Sequence, residues 1–577
     1  MKIRQICLFS LLSSAVGGAW ADVLPTLIDP NNPARLAREV PRPSSPQAPR
    51  DQASVPSPGV ATKSAGLTMD TLIEVKHIQF IGGTRYQNDV LVAPFARFIG
   101  KTVALKELLA ATQSITEKYH NDGYVLSYAY LPANNFQQGT LRVALVEGYV
   151  ANTRIQSDNT AVARWLERLS HKVMADKPLT QGVFERYTIL MSRTPDTKVT
   201  VSANNPDNIY GSTVMDVKAE HPHYWNLSST VDSRKDQQKA VVNATLSGLT
   251  SYGEQLGVAA LIPISNSDDR ENYFGLNYQQ YLGDSGLQMQ LRGSYYQKNP
   301  KDYTYLLTLP PYDVDIDNKS KETQSTGGIQ FNYPLLLTRQ HQWTVSGALD
   351  YLNKSYEYRF RATQAGQTLP ISIPGVDQTL RYPAAELSLN GYREYSQAYW
   401  STRFSLRQGI EGGVAHSDVP NTDIAFTRWR GNGETAYLFD KKWRLSSSIE
   451  GDWSDNNLPE PERVSFGGLR FGRGYPDGDA SGDYGYGGQV EMRYLHTRDS
   501  TWLNSIQPYV VLDTARTYFN AVPANRKLAS YAAGVTIGDG KHYSLSLEGA
   551  RPIGDVPSDS DKRGWRFNAT FTYNFNN

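Results

Sequence analysis

The plainest pattern in the chain lies at its C-terminal end, where Trp565, Phe567, Ala569, Phe571, Tyr573 and Phe575 alternate with Arg566, Asn568, Thr570, Thr572 and Asn574. A period of two puts one set on each face of a β-strand, one face apolar and the other polar. The run suits a tilted membrane-crossing strand of about 9 to 11 residues better than the usual soluble strand of about 5 or 6. Beyond His221 helical periodicity vanishes, and sixteen such segments are predicted to start near His223, Lys239, Gln255, Glu271, Leu287, Glu322, Gln342, Thr379, Tyr399, Asp423, Lys442, Asp483, Ile506, Leu528, His542 and Trp565. An even number closes an antiparallel barrel with both ends on one side. The Gly538-Asp539-Gly540 turn is short, whereas 301–321, 359–378 and 458–482 read as long loops on the other side.

From Thr71 to Glu220 the period changes to a mixed α/β pattern that occurs twice. The first unit is predicted as a strand over 74–80, helical segments over 89–98 and 105–120 ended by Gly123, then strands over 124–131 and 140–147. The second repeats the order with a strand over 152–156, a helix over 161–173, a helix after the N-cap Thr180, and strands over 198–202 and 213–218. Ahead of both, 41–58 is a Pro/Ser/Ala-rich linker unable to form a packed core. Asp29-Pro30 precedes a short helical pattern through Ala34, Leu36, Ala37 and Val40. At the start, Lys2 and Arg4 precede an apolar run that ends in Ala19-Trp20-Ala21, the form of a cleaved export signal. The expected division is therefore a signal peptide (1–21), a helix region (22–45), a linker (46–70), α/β units over 71–148 and 149–220, and a barrel over 221–577.

Composition then excludes whole classes. The only cysteine, Cys7, lies in the expected leader, which leaves no disulfide framework, thiol nucleophile or thiolate metal site after cleavage. With 58 Lys+Arg against 57 Asp+Glu the net charge of +1 carries no sign of a nucleic-acid partner, and no window holds the roughly 18 to 20 apolar residues of a spanning helix. The 36 Tyr, 10 Trp and 46 Gly among 577 residues suit short turns and aromatic belts at a membrane interface.

Candidate chemistry is sparse. Gly283-Asp284-Ser285-Gly286 has the form of a serine-nucleophile motif, yet its residues are what a hairpin turn requires. Asp477-x-Asp479-x-Ser481-Gly482 begins like a calcium loop but has Gly488 where a bidentate Glu is needed, and His221-x-His223 lacks a third ligand. No phosphate-cradling Gly-rich loop of the P-loop type occurs. No enzyme activity, metal or cofactor is expected.

The informative stretch is 458–475, LPEPERVSFGGLRFGRGY. Phe466-Gly467-Gly468 and Arg473-Gly474-Tyr475 are too apolar and too cationic for an idle external loop, so the loop is expected to fold into the lumen. There Arg473 is expected to pair bidentately with Asp513 of the thirteenth strand; the alternative is an ordinary solvated arginine.

At these residues the chain resembles the outer-membrane transporters of two-partner secretion, the haemolysin/filamentous-haemagglutinin transporter family of the BamA-like superfamily. The resemblance rests on the R-G-Y tip of the sixth loop, Arg473-Gly474-Tyr475, and on the strand-13 motif Val511-Leu512-Asp513-Thr514-Ala515, in which Val511 and Ala515 replace the usual aromatic and glycine. It implies a 16-stranded antiparallel transmembrane β-barrel preceded by two α/β POTRA domains and an N-terminal plug helix. It further implies a Gram-negative outer membrane with the POTRA domains in the periplasm. The implied function is export of an unfolded exoprotein, an adhesin, cytolysin, protease or toxin, recognised by the POTRA domains. Lipids of the outer membrane and, during biogenesis, the barrel assembly machinery are the other implied partners. In this reading Phe466, Gly467 and Gly468 form the loop base, and Arg473, Gly474, Tyr475 and Asp513 anchor it. The alternatives are a BamA-like assembly factor, which usually carries more POTRA units, and an outer-membrane enzyme, which needs Ser, His and an acid on one wall.

Overall fold

Lys76 is where the first α/β unit declares its architecture. The computed structural model describes residues 68–575 and the pair Ala53–Ser54, except 133–138, 207, 222, 235–236, 264–269, 300–302, 310–311, 365–366, 369–375 and 469–470. The expected leader and the helix around Pro30 to Val40 lie outside the described residues. The strand expected over 74–80 is two strands, Leu72–Val75 paired with Lys101–Ala104 and His77–Ile81 paired in parallel with Thr140–Val146. At the break the Lys76 N–H donates to Gly139 O at 2.7 Å and the Val75 carbonyl accepts from Gly100 N–H at 2.7 Å, so the chain changes sheets within one residue.

Helix α1 (Asn88–Val92) continues as a 3-10 turn, Ala93–Phe98, and α2 (Leu105–Asn121) lays Leu105, Leu108, Ala111, Ile115 and Tyr119 on the core in one stripe. The strand expected over 124–131 shrinks to Tyr128–Tyr130. Its first residues are spent on terminating α2, since Tyr124 N–H donates to Tyr119 O at 2.8 Å and Ser127 N–H to Tyr124 O at 3.1 Å.

The second unit comprises Tyr149–Ser157, α3 (Thr160–Ala175), α4 (Gln181–Ser192), Lys198–Ala203 and Ser212–Glu220. Asn159 caps α3 by accepting from Ala161 N–H at 2.8 Å and Val162 N–H at 3.1 Å, and Thr180 caps α4. Its sheet has an unexpected fourth member. Ala53–Ser54 pairs in parallel with the edge strand Lys198–Ala203, in the order 53–54, 198–203, 212–220, 149–157.

The remaining chain closes a sixteen-stranded antiparallel barrel. Its strands are β1 (Trp225–Arg234), β2 (Gln237–Ser247), β3 (Gln255–Pro263), β4 (Arg270–Tyr281), β5 (Gln288–Asn299), β6 (Tyr312–Leu337), β7 (His341–Gln364), β8 (Val376–Glu394), β9 (Ala398–Gly409), β10 (Thr427–Phe439), β11 (Trp443–Trp453), β12 (Tyr484–Tyr494), β13 (Ser505–Tyr518), β14 (Asn525–Gly538), β15 (Tyr543–Pro552) and β16 (Arg566–Asn574). β1 and β16 close the ring from Ser228↔Asn574 to Ser233↔Ala569.

Two expected loops are corrected. Most of 301–321 and 359–378 is strand, because β6, β7 and β8 run on past the membrane and Tyr303–Leu309 folds back on β6. Asp313, Asp315, Asp317, Lys319 and Lys321 read as a loop by charge, yet in the sequence they occupy alternate positions, the period of a strand.

The barrel is apolar outside and charged inside. Leu387, Phe404, Ile449, Leu512 and Phe567 are 58–73% exposed on the outer surface, whereas Arg407, Arg428, Asp452 and Glu491 are buried within. That inversion belongs to a barrel in lipid with a polar lumen. Among the described residues no helix is long and apolar enough to cross a membrane.

The second α/β unit is bolted to the turns at one rim. Trp165 stacks on Tyr281 at 4.9 Å, and Arg168 donates to the carbonyls of Ser251 (3.0 Å) and Gly283 (3.1 Å). Arg186 donates to those of Pro334 (2.9 Å) and Ser285 (2.8 Å). The 283–286 segment is thus the β4–β5 turn, with Gly283 at φ 75° and Gly286 at φ 92°. Its serine accepts through the backbone at a docking contact. His221 sits buried at the same junction, its Nδ1 bonded to the Thr197 hydroxyl at 2.8 Å.

Candidate functional site in the lumen

The segment joining β11 to β12 turns into the barrel rather than out of it. Val464–Phe466 pairs with Ala480–Gly482 as a small hairpin stem, and Val464, Phe466, Phe471, Tyr475 and Ala480 of the segment pack with Ala515 and Leu528 of the wall. Phe466 and Phe471 meet edge to face at 5.7 Å. The stem needs two glycines. Gly467 (φ 124°) and Gly468 (φ 73°) take left-handed conformations, and a Cβ on Gly467 would stand 2.2 Å from Pro476 O. Phe471 is left-handed too, at φ 56°, a strained conformation for a bulky side chain and one held by its packing against Phe466.

At the tip the backbone is read by the wall. Arg473 N–H donates to Asp513 Oδ2 at 3.1 Å, Gly474 N–H donates to Ser530 Oγ at 3.1 Å, and the Ser530 hydroxyl donates to Asp513 Oδ1 at 2.6 Å. The Tyr475 hydroxyl donates to Ala529 O at 3.2 Å. Gly474 lies so close to β15 that a Cβ would meet Pro552 N at 2.5 Å. The sequence-derived residues Arg473, Gly474, Tyr475 and Asp513 are thus brought together, with Phe466, Gly467 and Gly468 at the stem.

The expected side-chain pair is not formed. The Arg473 guanidinium pairs with Glu548 of β15 and lies 3.6 Å from Glu491 of β12, while Asp513 serves the Arg473 backbone. The reason is reach. An arginine head lies a full side chain away from its own N–H, so a carboxylate that caps the N–H at the tip is not the one the head finds. Glu548 also accepts from the Tyr509 hydroxyl at 3.0 Å, and the Arg473 guanidinium lies 5.8 Å from the Tyr509 ring.

Sequence reasoning passed over Glu548, Glu491, Ser530 and two flanking pairs, Asp477 with Arg234 of β1 and Asp479 with Arg526 of β14 at 2.6 Å. Strand phase was the usable signal. Leu545 and Leu547 share one face of β15, which leaves Ser544, Ser546 and Glu548 on the other, the lumenal one. Asp477 and Asp479, the half calcium motif, are engaged by these two arginines.

Comparison with known proteins returns the same picture from two regions of the chain. Residues 73–148 match the POTRA domain of ShlB type, and 376–537 match the haemolysin secretion/activation proteins ShlB/FhaC/HecB. The heme/hemopexin transporter protein HuxB of Haemophilus influenzae (strain 86-028NP) is 20% identical over 489 residues, 82% of either chain. The outer membrane transporter CdiB of Escherichia coli is 23% identical over 444 residues, covering 74% of this chain and 70% of that one. Among solved structures, CdiB from Escherichia coli superposes with a TM-score of 0.68 at 16% identity over 95% of this chain and 99% of that one. CdiB from Acinetobacter baumannii superposes with 0.58 at 13% identity over 91% and 94%. Both solved structures share the fold.

Proposed function

We propose that the chain is an outer-membrane transporter of two-partner secretion of the ShlB/FhaC/HecB type, which recognises and passes one unfolded exoprotein. The second α/β unit acts as a second POTRA domain, both units lie in the periplasm, and the exoprotein enters the polar lumen past the inward loop. Lipids surround the apolar outer face, and barrel assembly machinery inserts it. The helix around Pro30 to Val40 occupies the lumen at rest, tethered by the Pro/Ser-rich linker.

The observation that carries this reading is the edge strand Lys198–Ala203. It hangs at the rim of the barrel and already holds an extended segment, Ala53–Ser54, in parallel register. An edge that accepts one extended chain can accept another by main-chain hydrogen bonds, the general mode of β-augmentation. With no phosphate-binding loop in the sequence, folding of the substrate outside supplies the drive.

Deleting the gene and comparing culture supernatants tests the reading: one large exoprotein is expected to disappear and to return with the wild-type gene. An unchanged supernatant would falsify it. Deleting 22–45 is expected to raise ion conductance in planar bilayers; wild-type conductance would remove the helix from the lumen.

A further inference from the structure

The inward loop has a second hold on the barrel, 11 to 13 residues before Arg473, and it lies on a different part of the wall. After β11 the chain turns back through the 3-10 turn Glu460–Glu462, which buries the Glu462 carboxylate in the lumenal wall and sets that of Glu460, half-buried, against it. Glu462 is fully buried. Its carboxylate takes Arg407 Nε of β9 at 3.0 and 3.1 Å and Arg428 of β10 at 2.9 Å, and it accepts from the Tyr382 hydroxyl of β8 at 3.2 Å. Arg428 also donates to the Glu462 carbonyl at 2.7 Å, so backbone and side chain are gripped together. Glu460 pairs with Lys354 of β7 and accepts from the Tyr356 hydroxyl at 2.5 Å. Leu458 completes the contact, packed with Leu352, Leu380, Tyr382 and Phe426.

The loop therefore touches two arcs of the wall, β7–β10 at its root and β12–β15 with β1 at its apex. We propose that Glu462, assisted by Glu460, is a positioning residue that fixes the loop root to the β7–β10 arc, so that the loop is braced at both ends and remains in the lumen when its tip is released. Glu462 is held at once by two guanidinium groups and a hydroxyl from three strands, so withdrawing the root would break several charge-assisted hydrogen bonds together, even though Arg407 also pairs with Asp350 at 2.7 Å and Lys354 lies 3.4 Å from Glu322. The tip is held separately, by Arg473 on Glu548, by backbone donors to Asp513 and Ser530 and by the flanking pairs Asp477–Arg234 and Asp479–Arg526, all of them on β1 and β12–β15. In this proposal passage of a polypeptide rearranges the tip around a root held on another arc. This inference rests on the transporter reading for its consequence but not for its test.

Cys7 is the only cysteine of the chain and lies in the expected leader, so a thiol placed in the loop is a reporter without background. Ala480, fully buried in the stem, is the position. The purified full-length Ala480→Cys protein is treated with a polar maleimide, alone and with Glu462→Gln. Labelling is expected to rise about tenfold with Glu462→Gln, the factor that follows from weakening a local ordered segment by one charge-assisted contact. Glu271→Gln, in the lumenal pair with Lys239 and Lys298 away from the loop, is the control and leaves the rate unchanged. An unchanged rate in folded Glu462→Gln protein overturns the proposal. If that variant does not fold, the charge exchange decides. Glu460→Lys is expected to speed labelling and Lys354→Glu in the same chain to restore protection; absence of restoration overturns the proposal, because a loss of packing alone is not mended by exchanging charges. No exoprotein enters this experiment, so a failed secretion assay bears on the transporter reading and not on the root.

Discussion

Arg473 meets the wall twice, once through its head and once through its N–H, and the two contacts predict different mutant behaviour. Glu548 and the guanidinium form one unit: Arg473→Ala strands a carboxylate and Glu548→Gln weakens a buried cation's partner, so the double variant is expected to be little worse than either single. The coupling should be about 1–3 kcal/mol, read from a cycle on secretion rate at equal membrane levels. Asp513→Asn acts on the tip backbone and on Ser530, so its effect with Arg473→Ala should add to within about 0.5 kcal/mol. Strong coupling between 473 and 513, with none to 548, would return the pair to the geometry expected from sequence. Gly474→Ala is a separate test. Its Cβ, 2.5 Å from Pro552 N, must push the tip off β15 at a cost of about 1–3 kcal/mol, visible as faster proteolysis of the loop. At this scale the grouping of Arg473, Gly474, Tyr475 and Asp513 came from the family resemblance, since composition alone left Arg473 as an ordinary solvated arginine. Which acid meets which atom was not legible, since the sequence does not distinguish a backbone donor from a side-chain donor.

Among elements, period was the reliable guide and charge the misleading one. Alternation located β1 to β5 and β11 to β16 within about three residues because one face is lipid and the other is polar. The start of β6 was missed by ten residues, although Tyr312, Val314 and Ile316 alternate there with Asp313, Asp315 and Asp317, because the density of charge was read as a loop's. Caps were legible at Thr180 but not at Asn159, whose amide also donates to Gly248 O at 2.9 Å and so serves both helix and junction. Asn159→Ala is expected to cost about 1–2 kcal/mol, as loss of an N-cap does, and to expose the amides of Ala161 and Val162 to hydrogen exchange. Glu147 makes the first unit pH-sensitive. Burial raises its pKa, but hydrogen bonds from Thr84 N–H and hydroxyl, Arg85 N–H and the Tyr119 hydroxyl outweigh it and hold the carboxyl below its ordinary value. A depressed folded-state pKa contributes stability above the ordinary carboxyl value of about 4.3, and that stability is lost as pH falls through the lower folded value. Exchange protection of the Thr84 and Arg85 amides is expected to be constant from neutrality to about pH 5 and to fall below it; protection already falling at pH 6 would assign it to another group.

The whole molecule is one body from α3 to β16 because the second unit does not hang from a hinge. Two arginines grip backbone carbonyls on two barrel turns and at the end of β6, and Trp165 stacks on Tyr281 beside them. Replacing Arg168 and Arg186 together by Ala is expected to broaden spin-label distances between α4 and the opposite barrel rim, while either replacement alone leaves the stack in place; a broad distribution in the unaltered chain would show that the docking is loose. Composition announced neither contact, since an arginine reading carbonyls leaves no pattern in the chain. The lumenal pairs also carry a chronology. Arg473 must wait for Glu548, 75 residues downstream, and Asp477 reaches back 243 residues to Arg234. A chain emerging in order can seat the loop root and Asp477 against strands already made, yet Arg473 lacks Glu548 until the fifteenth strand arrives. The inward loop therefore ties the beginning of the barrel to its end: only a barrel that holds both its first strand and its fifteenth satisfies Asp477 and Arg473 together, and one interrupted before that point leaves Arg473 without Glu548.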